Sequence, residues 1–584
     1  MVRLLVNPAQ MKAVQDAEKT GIPLVYLPLH RSHLDYLLIT WNSWHFGLRL
    51  PHIASGDNLN LSGFGWLLRA TGAFFIRRRL DASDENGKDQ MYRTVLRSYL
   101  EEVLKKNLPI EFFLEGTRSR FGKALLPKNG LISNVVEAVQ QGVIGDVYLV
   151  PVSYTYDQVA EGVFLQELMG NSKQRESILS VFRGIWKGFG LYQRCGTVRM
   201  HYGKPVLLTE YLSSLSSCSA IRSEHRPKQL TRLPYSFSYR ELVPWTQSQS
   251  AAEFNRALIR SIGFHVVYEA QEICSISPVS IVSTLLLSKY RNDTTFDALA
   301  NDTQWLAEIV LRDGGDIVGW RRDGTTGNHL LEYALPYMKS SVTREGDKMV
   351  SVKTHRQRIQ LAYGKNALLH RFSLKAVLAI SVISRDPNEV IFFDSVIEQA
   401  LHICDWLQHE IIFAKPCESL RQRLRVTLGE EGLSDMYVGS LRISGGEEEG
   451  AGNQPMTVKI PSIYQADVLM FYSNFIRPFI QTMYIVIERL TKELKPCREI
   501  EFIRDLIKQT LSKSASEFPF DLMVEAVNSD SIKNCLRTLR DREIVTNESE
   551  PLRVLEPESL RDALHFAQLL TVHLRSDSDE SEVI

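Results

Sequence analysis

Apolar and polar positions follow two different patterns, one before residue 215 and one after residue 250. In the first part, short apolar runs bounded by Gly, Pro or Asp predict β-strands. These runs are IPLVYLPL, HIASG, GAFFIRR, IEFFLEG, VYLVPVSYTY and TVRMHYGKPV. Amphipathic stretches such as KDQMYRTVLRSYLEEVLKK lie between them and predict helices. This alternation predicts an α/β domain over residues 1–215, with a mixed, largely parallel sheet flanked by helices.

Helical periodicity dominates the second part, in segments such as VSIVSTLLLSKY, TQWLAEIVLRD and DSVIEQALHICDWLQHEIIFA. It predicts a mainly helical C-terminal domain over residues 251–575. Residues 216–250 between the two parts are rich in Ser and Pro and have no sustained period, so we expect a linker there. The acidic end, residues 576–584, is predicted to be disordered.

Composition narrows the possible functions. The chain has 584 residues, 44% of them apolar, which is enough for a sizeable core in more than one domain. The formal net charge is zero, so no overall positive field indicates nucleic acid as a partner. Seven scattered cysteines without a CxxC pair favour reduced thiols over a disulfide framework. The first residues show no secretory signal.

The most membrane-like window is VLMFYSNFIRPFIQTMYIVI, residues 468–487. It is long enough to span a bilayer, but Asn474, Arg477, Pro478 and Gln481 lie near its middle. A central arginine costs about 2.5–3.5 kcal/mol on insertion scales, and proline frees backbone groups that need other partners. Burial between helices is therefore favoured over a transmembrane span.

The stretch PLHRSHLDYLL, residues 28–38, concentrates polar side chains where a predicted strand passes into a predicted helix. A metal site there would use His30, His33 and Asp35, with His45 in reserve. Their spacing matches neither H-E-x-x-H nor a Cys/His zinc pattern, and no second ligand cluster is evident. The metal interpretation is therefore disfavoured, and no metal is predicted.

Two other interpretations of this stretch stay open. Ser32 and Asp35 form a capping-box pattern, in which the serine accepts from the Asp35 amide and the carboxylate reaches back. Alternatively, Asp35 holds one ring nitrogen of His30, so that His30 serves as a general base. The chain has no G-x-S-x-G elbow, so the substrate would supply the nucleophile. Spacing alone does not decide between the cap and the pair.

Two arginine clusters follow predicted strands. TGAFFIRRR, residues 71–79, ends in three arginines, and FFLEGTRSRFGK, residues 112–123, carries two more after Gly116. Glycine lets the backbone approach a ligand, and guanidinium groups bind phosphate with paired hydrogen bonds. Each cluster alone is also consistent with a solvated basic turn, but together they favour a phosphate pocket. A further cluster, VYLVPVSYTYD, is predicted to be a strand interrupted by Pro151.

In order and spacing, these four clusters resemble the four sequence blocks of the glycerolipid acyltransferases. LPLHRSHLDYLL, HIASGDNLN, GAFFIRRRLD and FFLEGTRSR are most similar to the mitochondrial glycerol-3-phosphate acyltransferases. The resemblance implies acyl-CoA-dependent acylation of the sn-1 hydroxyl of glycerol 3-phosphate, which gives 1-acyl-glycerol 3-phosphate (lysophosphatidic acid) and free coenzyme A. This is the first step of phospholipid and triacylglycerol synthesis. The resemblance also implies that long-chain acyl-CoA is a co-substrate and that no cofactor is needed.

The same resemblance assigns roles at the matching positions. His30 would be the general base and Asp35 its partner. Substrate binding would use Arg77, Arg78, Glu115, Gly116, Thr117, Arg118, Ser119, Arg120 and Pro151. In this set the arginines would hold the phosphate, Glu115 would position an arginine or a glycerol hydroxyl, and Pro151 would shape the acyl-CoA side.

The chain departs from the family pattern in three places. Ala73 stands where a second glycine is common, and the bulky Tyr154 of the fourth block is expected to affect acyl-chain preference. His30 lies only 30 residues from the start, whereas mitochondrial relatives carry a long segment upstream. A shortened isoform or an incomplete gene model would explain this start.

Acyl-CoA and the product are amphiphiles, so we expect the protein at a membrane surface, namely the mitochondrial outer membrane or alternatively the endoplasmic reticulum. Attachment is predicted through WLLRATGAFFI or the window at 468–487, with basic residues meeting anionic headgroups. Two functional alternatives are a dihydroxyacetone-phosphate acyltransferase, whose peroxisomal C-terminal signal the ending SEVI does not match, and a non-catalytic membrane-associated homologue. Acyl-chain preference and oligomeric state do not follow from the sequence.

Overall fold

The computed structural model describes most of the chain in sixteen segments. They are residues 3–57, 64–77, 90–159, 165–170, 196–214, 251–290, 293–321, 324–351, 354–385, 390–429, 442–444, 456–459, 463–492, 496–513, 517–548 and 550–572. The predicted linker at 216–250 and the predicted acidic tail at 576–584 lie outside these segments.

Eight strands of the first part form one mixed sheet. They are β1 (Arg3–Val6), β2 (Leu24–Pro28), β3 (His52–Gly56), β4 (Ala73–Ile76), β5 (Ile110–Glu111), β6 (Tyr148–Tyr156), β7 (Thr197–Tyr202) and β8 (Val206–Leu207). Their order is β1-β7-β6-β2-β5-β3-β4, with β8 beside β6. β6 pairs antiparallel with β7 and β8, and the other pairs are parallel. The prediction of a mixed, largely parallel sheet is confirmed, although β1 was not predicted.

The helices of the first part form two layers on this sheet. They are α1 (Pro8–Lys19), α2 (Leu34–His45), α3 (Phe64–Ala70), α4 (Gln90–Lys105), α5 (Gly130–Gln140) and α6 (Leu165–Leu168). Along the strand order, α1, α2 and α3 connect strands that progress from β1 toward β4. In contrast, α4 and α5 connect strands that lead back from β4 to β6. Because crossovers between parallel strands are right-handed, the two groups cover opposite faces. The cores agree, since Met11 and Leu38 pack with Tyr26, whereas Leu100 and Ile132 pack with Val25.

The second part is mainly helical, as predicted. Its helices are α7 (Ala251–Glu272), α8 (Pro278–Leu285, continued by a π-helical turn Leu286–Tyr290), α9 (Phe296–Arg312), α10 (Gly327–Met338), α11 (His355–Lys365), α12 (Leu369–Ile383), α13 (Phe393–Trp406), α14 (Leu420–Gly429), α15 (Ile463–Ser473), α16 (Arg477–Thr491), α17 (Glu499–Ser512), α18 (Ser529–Asp541) and α19 (Pro557–Val572). Two small sheets were not predicted. They use β9 (Asp293–Thr295), β10 (Val342–Glu345), β11 (Lys348–Ser351), β12 (Ile391–Phe392), β13 (Arg442–Ser444) and β14 (Thr457–Lys459).

The helical half packs against the α4–α5 side of the large sheet. One apolar core runs from Val25 and Ile132 of the first part to Ile262 and Phe372 of the second. Burial of apolar surface between the two parts therefore fixes their relative position. The residue boundaries of the two domains stay a prediction.

The loop that follows β5 is pressed against the helical half. Lys123 of this loop forms a buried ion pair with Glu410, and its ammonium group also donates to the Glu410 carbonyl at 3.0 Å. A Cβ atom at Gly122 would lie 2.1 Å from the carbonyl oxygen of Tyr363 in α11, and the φ of Gly122 is +80°. Only glycine fits this contact, so the loop and α11 are in van der Waals contact along their backbones.

The membrane-like window at 468–487 does not form one helix. α15 ends at Ser473 and α16 begins at Arg477, and most side chains of the window are buried, including Arg477 and Gln481. Burial between helices is therefore confirmed. Across the segments that the structure describes, no single helix has the length and apolarity to cross a membrane, and only α11 and α12 together, bent by 99°, meet both criteria.

The prediction that Pro151 interrupts its strand is wrong. β6 runs without a break through Pro151, which is paired with Leu27 of β2. On its other side, β6 pairs with β7 only from Val152 onward and with β8 only up to Leu149. Pro151 thus stands at the position where β6 changes its antiparallel neighbour, so the missing N–H disturbs no hydrogen bond there.

Candidate active site

A cavity of about 130 Å³ opens where the central strands end. Its wall contains His30 after β2, the end of β3 at Ser55 and Gly56, Ile76 of β4, and Phe113 after β5. The carboxyl ends of parallel strands meet at one edge of a sheet, and loops at this edge commonly carry functional side chains. The first three predicted blocks therefore converge on one concave site.

His30 and Asp35 form a hydrogen-bonded pair at this edge. His30 Nδ1 lies 3.0 Å from Asp35 Oδ2, and the Asp35 side chain is fully buried. The His30 side chain is 15% exposed and lines the cavity, so Nε2 is the ring nitrogen that remains for a substrate. The carboxylate favours the tautomer with the proton on Nδ1, which leaves the Nε2 lone pair to accept a proton.

The capping interpretation and the pair interpretation hold together. Asp35 Oδ2 also accepts from the backbone N–H of Arg31 at 2.7 Å and of Ser32 at 2.9 Å. The Ser32 hydroxyl accepts from the Leu34 amide at 3.1 Å and not, as predicted, from the Asp35 amide, which is bonded to the Ser32 carbonyl. One carboxylate oxygen therefore closes the turn and orients the imidazole.

Two tyrosines of β6 complete the surroundings of Asp35. The Tyr156 hydroxyl donates to Asp35 Oδ1 at 2.6 Å, and the Tyr154 hydroxyl donates to the Asp35 carbonyl at 2.9 Å. Tyr154 was predicted to affect acyl-chain preference, and no role was predicted for Tyr156. Side chains two residues apart in a strand lie on the same face of the sheet, so the sequence places both tyrosines on one face. Their contact with Asp35 could not be predicted, because they lie about 120 positions away along the chain.

The imidazole is also held from the loop after β5. The ring of Phe113 stacks on His30 with the centroids 4.0 Å apart. The Glu115 carboxylate accepts from the His30 backbone N–H and, at 2.6 Å, from the Leu125 N–H, and it lies 3.7 Å from the Arg31 guanidinium. Burial raises the pKa of Glu115, while Arg31 and the two amides act in the opposite direction. Glu115 is buried and does not line the cavity, so it positions the His30 turn rather than a substrate hydroxyl.

The electrostatic surroundings favour a neutral His30. Burial lowers the pKa of His30 from its usual 6.5, and the Arg118 guanidinium lowers it further. Asp35 opposes part of this shift through its hydrogen bond and its charge. A histidine whose pKa lies below neutral pH is unprotonated there and can accept a proton.

Arg118 and Arg120 reach the cavity, as the sequence predicted. Both line its wall, and Arg118 is 9% exposed. Arg120 also forms ion pairs with Glu167 of α6 at 2.9 Å and with Asp530 of α18 at 3.5 Å. These carboxylates hold the guanidinium group beside the cavity and link it to the helical half.

The other predicted residues have different positions. Gly116 and Thr117 line the cavity, and Gly116 has a φ of +66°, which favours glycine. Ser119 is buried and structural, because its N–H donates to the His30 carbonyl at 2.9 Å and its hydroxyl to the Lys123 carbonyl at 2.6 Å. Arg77 does not line the cavity, and its guanidinium lies 5.0 Å from the Tyr92 ring centroid.

The structure places one predicted residue away from the cavity and does not describe another. Pro151 lies in the sheet against Gly203, at 3.1 Å from the position of a Cβ there, and it does not line the active-site cavity. Arg78 lies outside the described residues. Within the described segments, three or more His, Cys, Asp or Glu side chains do not cluster in a way that would bind a metal ion.

A second buried carboxyl group lies next to Asp35. Glu111 pairs in register with Tyr26 of β2 and Ile53 of β3, and it is fully buried. Neither of its carboxyl oxygens has a hydrogen-bond partner among the described residues. Burial, together with the charge of Asp35, raises the pKa of Glu111 well above 4.5, so the surroundings favour the protonated form. The sequence alone gave no signal for it.

Comparisons with known proteins match both parts of the chain. A family described as "Acyltransferase" matches residues 11–155, and one described as "Glycerol-3-phosphate acyltransferase C-terminal region" matches residues 164–548. A Caenorhabditis elegans protein named "Probable glycerol-3-phosphate acyltransferase, mitochondrial" is 52% identical over 549 residues, 93% of this chain and 76% of that protein. Proteins of Rattus norvegicus and Homo sapiens named "Glycerol-3-phosphate acyltransferase 1, mitochondrial" are 31% identical and cover 73% of this chain. The chain spans 54% of each of these mammalian relatives, about half their length.

Proposed function

The chain belongs to the glycerol-3-phosphate acyltransferase family, an acyltransferase family whose reaction is the acylation of glycerol 3-phosphate, and from this premise we propose the chemistry of its site. The chain transfers an acyl group from acyl-CoA to the sn-1 hydroxyl of glycerol 3-phosphate, with His30 as the general base. The observation that carries this proposal is the imidazole of His30, which is bonded to Asp35 through Nδ1 and lies in the same cavity wall as Arg118 and Arg120.

The proposed reaction is a direct transfer. Nε2 of His30 removes the proton of the glycerol hydroxyl as its oxygen attacks the thioester carbonyl. The tetrahedral intermediate then collapses, the carbon–sulfur bond breaks, and the imidazolium returns the proton to the thiolate of coenzyme A. Asp35 stabilises the imidazolium in between. The reaction balances with acyl-CoA as co-substrate, so it requires no further cofactor.

The arginines account for a phosphorylated acceptor. Arg118 and Arg120 present guanidinium groups to the cavity and are proposed to bind the phosphate of glycerol 3-phosphate. Binding the phosphate places the sn-1 hydroxyl near His30, and orientation of two substrates beside one base supplies much of the rate. Arg77 and Arg78 of the second block remain predicted phosphate ligands, although Arg77 faces Tyr92 in this structure.

An acyl-transfer assay with two acceptors tests this proposal. Purified protein receives radiolabelled acyl-CoA and either glycerol 3-phosphate or dihydroxyacetone phosphate, and lipid products are counted. We expect higher kcat/KM with glycerol 3-phosphate. Preference for dihydroxyacetone phosphate would replace the proposal with the dihydroxyacetone-phosphate alternative, and failure to acylate either acceptor would favour the non-catalytic homologue.

The base is tested by His30→Ala with His45→Ala as its control, because His45 lies at the exposed end of α2 and outside the cavity wall. We expect His30→Ala to lose acyl transfer by about 10²–10⁴-fold. His45→Ala is expected to match the parent chain, and both variants should keep its melting temperature. Normal turnover by His30→Ala would place the base elsewhere.

We further propose a mitochondrial location at the outer membrane, supported by the names of the relatives in worm, rat and human. The amphiphilic substrate and product support a membrane surface. Subcellular fractionation of cells that express the chain tests this, with sedimentation beside outer-membrane markers as the expected result. Sedimentation beside markers of the endoplasmic reticulum would favour the alternative location.

A further inference from the structure

α2 exposes large apolar side chains along one face. It buries Leu38 and Ile39 against the sheet. On the opposite side, Leu37, Trp41 and Trp44 are 47%, 56% and 63% exposed. The three positions are four and three residues apart, so they lie in one stripe along about 10 Å of helix. The two indole rings are in contact, with centroids 5.2 Å apart.

α3 extends this stripe on the same side of the sheet. Trp66 of α3 is 71% exposed. Arg69 of α3 lies 5.3 Å from the ring centroid of Phe75, whereas Phe74 packs against Tyr99 of α4. Successive strand residues point to opposite faces, so α3 lies on the face opposite α4, the face that α2 covers. We call Leu37, Trp41, Trp44 and Trp66 the tryptophan face.

The exposure of these side chains is not typical of a protein surface. Tryptophan is highly buried on average in soluble proteins, as Trp406 of the helical half is, at 6% exposure. A group of exposed large apolar side chains indicates an interaction site. The helical half packs on the other face of the sheet, and the four side chains of the tryptophan face stay exposed among the residues that the structure describes.

The segments that carry the tryptophan face are basic. Residues 36–56 and 64–77 contain no Asp or Glu. They contain the exposed Arg49 and Arg69, whereas Arg77 packs on Tyr92 of α4 on the other side of the sheet. A carboxylate of the same layer, Glu18 of α1, accepts from the Arg49 amide at 2.8 Å. Indole rings prefer the boundary between headgroups and acyl chains, and guanidinium groups attract anionic headgroups. This combination fits the surface of a phospholipid bilayer.

The tryptophan face also adjoins the active-site cavity. Tyr36 of α2, Gly56 of β3 and Ile76 of β4 line the cavity, and α2 and α3 both begin at this edge of the sheet. A leaflet in contact with the tryptophan face would therefore have its acyl chains beside the cavity mouth.

From these observations we infer that the tryptophan face docks on a phospholipid bilayer, with its indole rings at the boundary between headgroups and acyl chains. The inference rests on the proposed function and deepens it, because it names the surface through which an acyl chain reaches His30. It also corrects the sequence-based expectation that residues 468–487 provide the attachment, since that window is buried. Of the two predicted segments, only WLLRATGAFFI contributes, through Trp66.

Vesicle flotation tests the inference with the full chain. The double variant Trp41→Ser/Trp44→Ser removes two rings, and Ile500→Ser/Leu555→Ser removes two apolar side chains of similar exposure, 64% and 53%, from the helical half. We expect the parent and the control to float with vesicles of phosphatidylcholine and phosphatidylglycerol. The partition coefficient of the tryptophan variant onto the vesicles should be lower than that of the parent by a factor on the order of ten or more. The reason is that membrane binding scales with the apolar area buried.

Two further measurements separate this inference from the proposed function. With a short-chain acyl-CoA and no vesicles, all three proteins should turn over glycerol 3-phosphate equally. Indole fluorescence of the parent should be quenched by lipids labelled near the headgroup, and less so in the tryptophan variant. Flotation that depends on the two tryptophans in a protein without acyltransferase activity would retain the docking surface and reject the proposed function.

Three results would overturn the inference. They are flotation of the tryptophan variant equal to that of the parent, failure of the parent to float, and parent self-association in sedimentation experiments that the tryptophan substitutions abolish. The last result would assign the tryptophan face to a second copy of the chain.

Discussion

Asp35 and Glu111 are two buried carboxyl groups, and their surroundings differ in the hydrogen-bond donors that they provide. Asp35 accepts from the His30 ring, two backbone amides and the Tyr156 hydroxyl. Glu111 has no hydrogen-bond partner among the described residues. An ionised carboxylate in the protein interior requires donors that replace water, and a carboxyl group without them becomes protonated.

The difference arises from backbone position. Asp35 lies in the first turn of α2, and the backbone N–H groups of Arg31 and Ser32, in the turn that precedes the helix, donate to its carboxylate. Glu111 lies in the strand β5, between β2 and β3, where backbone amides are used in pairing. The same chemical group therefore holds the proposed base at one site and has no hydrogen-bond partner among the described residues at the other, and the following predictions test this contrast.

The largest effect is expected from Asp35→Asn, which removes the negative charge beside His30. The amide can no longer stabilise the imidazolium or favour the reactive tautomer, so kcat should fall on the order of 10³–10⁴-fold. Steady-state kinetics with glycerol 3-phosphate measures this, and circular dichroism should show an unchanged fold. A loss of less than tenfold would mean that the charge of Asp35 is not used.

The pH dependence of kcat/KM should show the titration of His30. The base is active only when neutral, so activity is retained above the His30 pKa and falls about tenfold per pH unit below it. Because burial and Arg118 lower this pKa, the acidic limb should lie below pH 6.5. In Asp35→Asn the limb should move to lower pH, since Asp35 raises the His30 pKa. A limb above pH 6.5 in the parent chain would contradict the arrangement described here.

Tyr156→Phe should produce a smaller loss. It removes one of the donors to Asp35, at 2.6 Å from Oδ1, and leaves the His30 contact in place. Hydrogen bonds to charged groups contribute about 1.5–3 kcal/mol, so a roughly tenfold or greater decrease in kcat is expected. The KM for glycerol 3-phosphate should stay unchanged, because Tyr156 does not line the active-site cavity. Tyr148→Phe, at the other end of β6, is a matched control.

The smallest effect on activity is expected from Glu111→Gln, which imitates the protonated acid. We expect kcat and the acidic limb to stay within about twofold of the parent, because a neutral group replaces a neutral group. Stability should change with pH instead. Between the Glu111 pKa of the unfolded chain, near 4.5, and its raised pKa in the folded chain, only the unfolded state loses the proton.

The parent chain should therefore lose stability to unfolding as pH rises above 4.5, and the variant should lack this loss. The difference between the two proteins in the free energy of unfolding should grow by about 1.4 kcal/mol per pH unit above pH 4.5 and vanish below it. Denaturant titrations at several pH values measure it. Equal pH dependence in both proteins would show that Glu111 is ionised in the folded state.

Local sequence signals predicted the parts of the site that depend on short-range geometry. His30 and Asp35 lie five positions apart, and a strand followed by a helix brings them together whatever the rest of the chain does. Gly116, Arg118 and Arg120 likewise follow a predicted strand and reach the same cavity. The mixed sheet was predictable because each strand has its own apolar run.

Contacts that depend on strand order were not predictable. Tyr156 reaches Asp35 because β6 lies beside β2, and Glu111 has no partner because β5 lies between β2 and β3. The partners of Arg120 come from α6 and from α18, 410 positions later in the case of Asp530. A periodic pattern identifies a strand but does not order the strands, so it cannot identify which side chains meet across the sheet.

The close contact of Gly122 with Tyr363, and of Lys123 with Glu410, connects the helical half to the loop that carries the proposed phosphate ligands. This loop packs against a surface encoded more than two hundred residues later in the chain. Removal of the helical half would leave the proposed catalytic side chains in place. It would also remove the surface against which the loop with the two arginines packs. If the proposed phosphate ligands are correct, substitutions at Tyr363 or Glu410 would change affinity for the acceptor from outside the cavity wall.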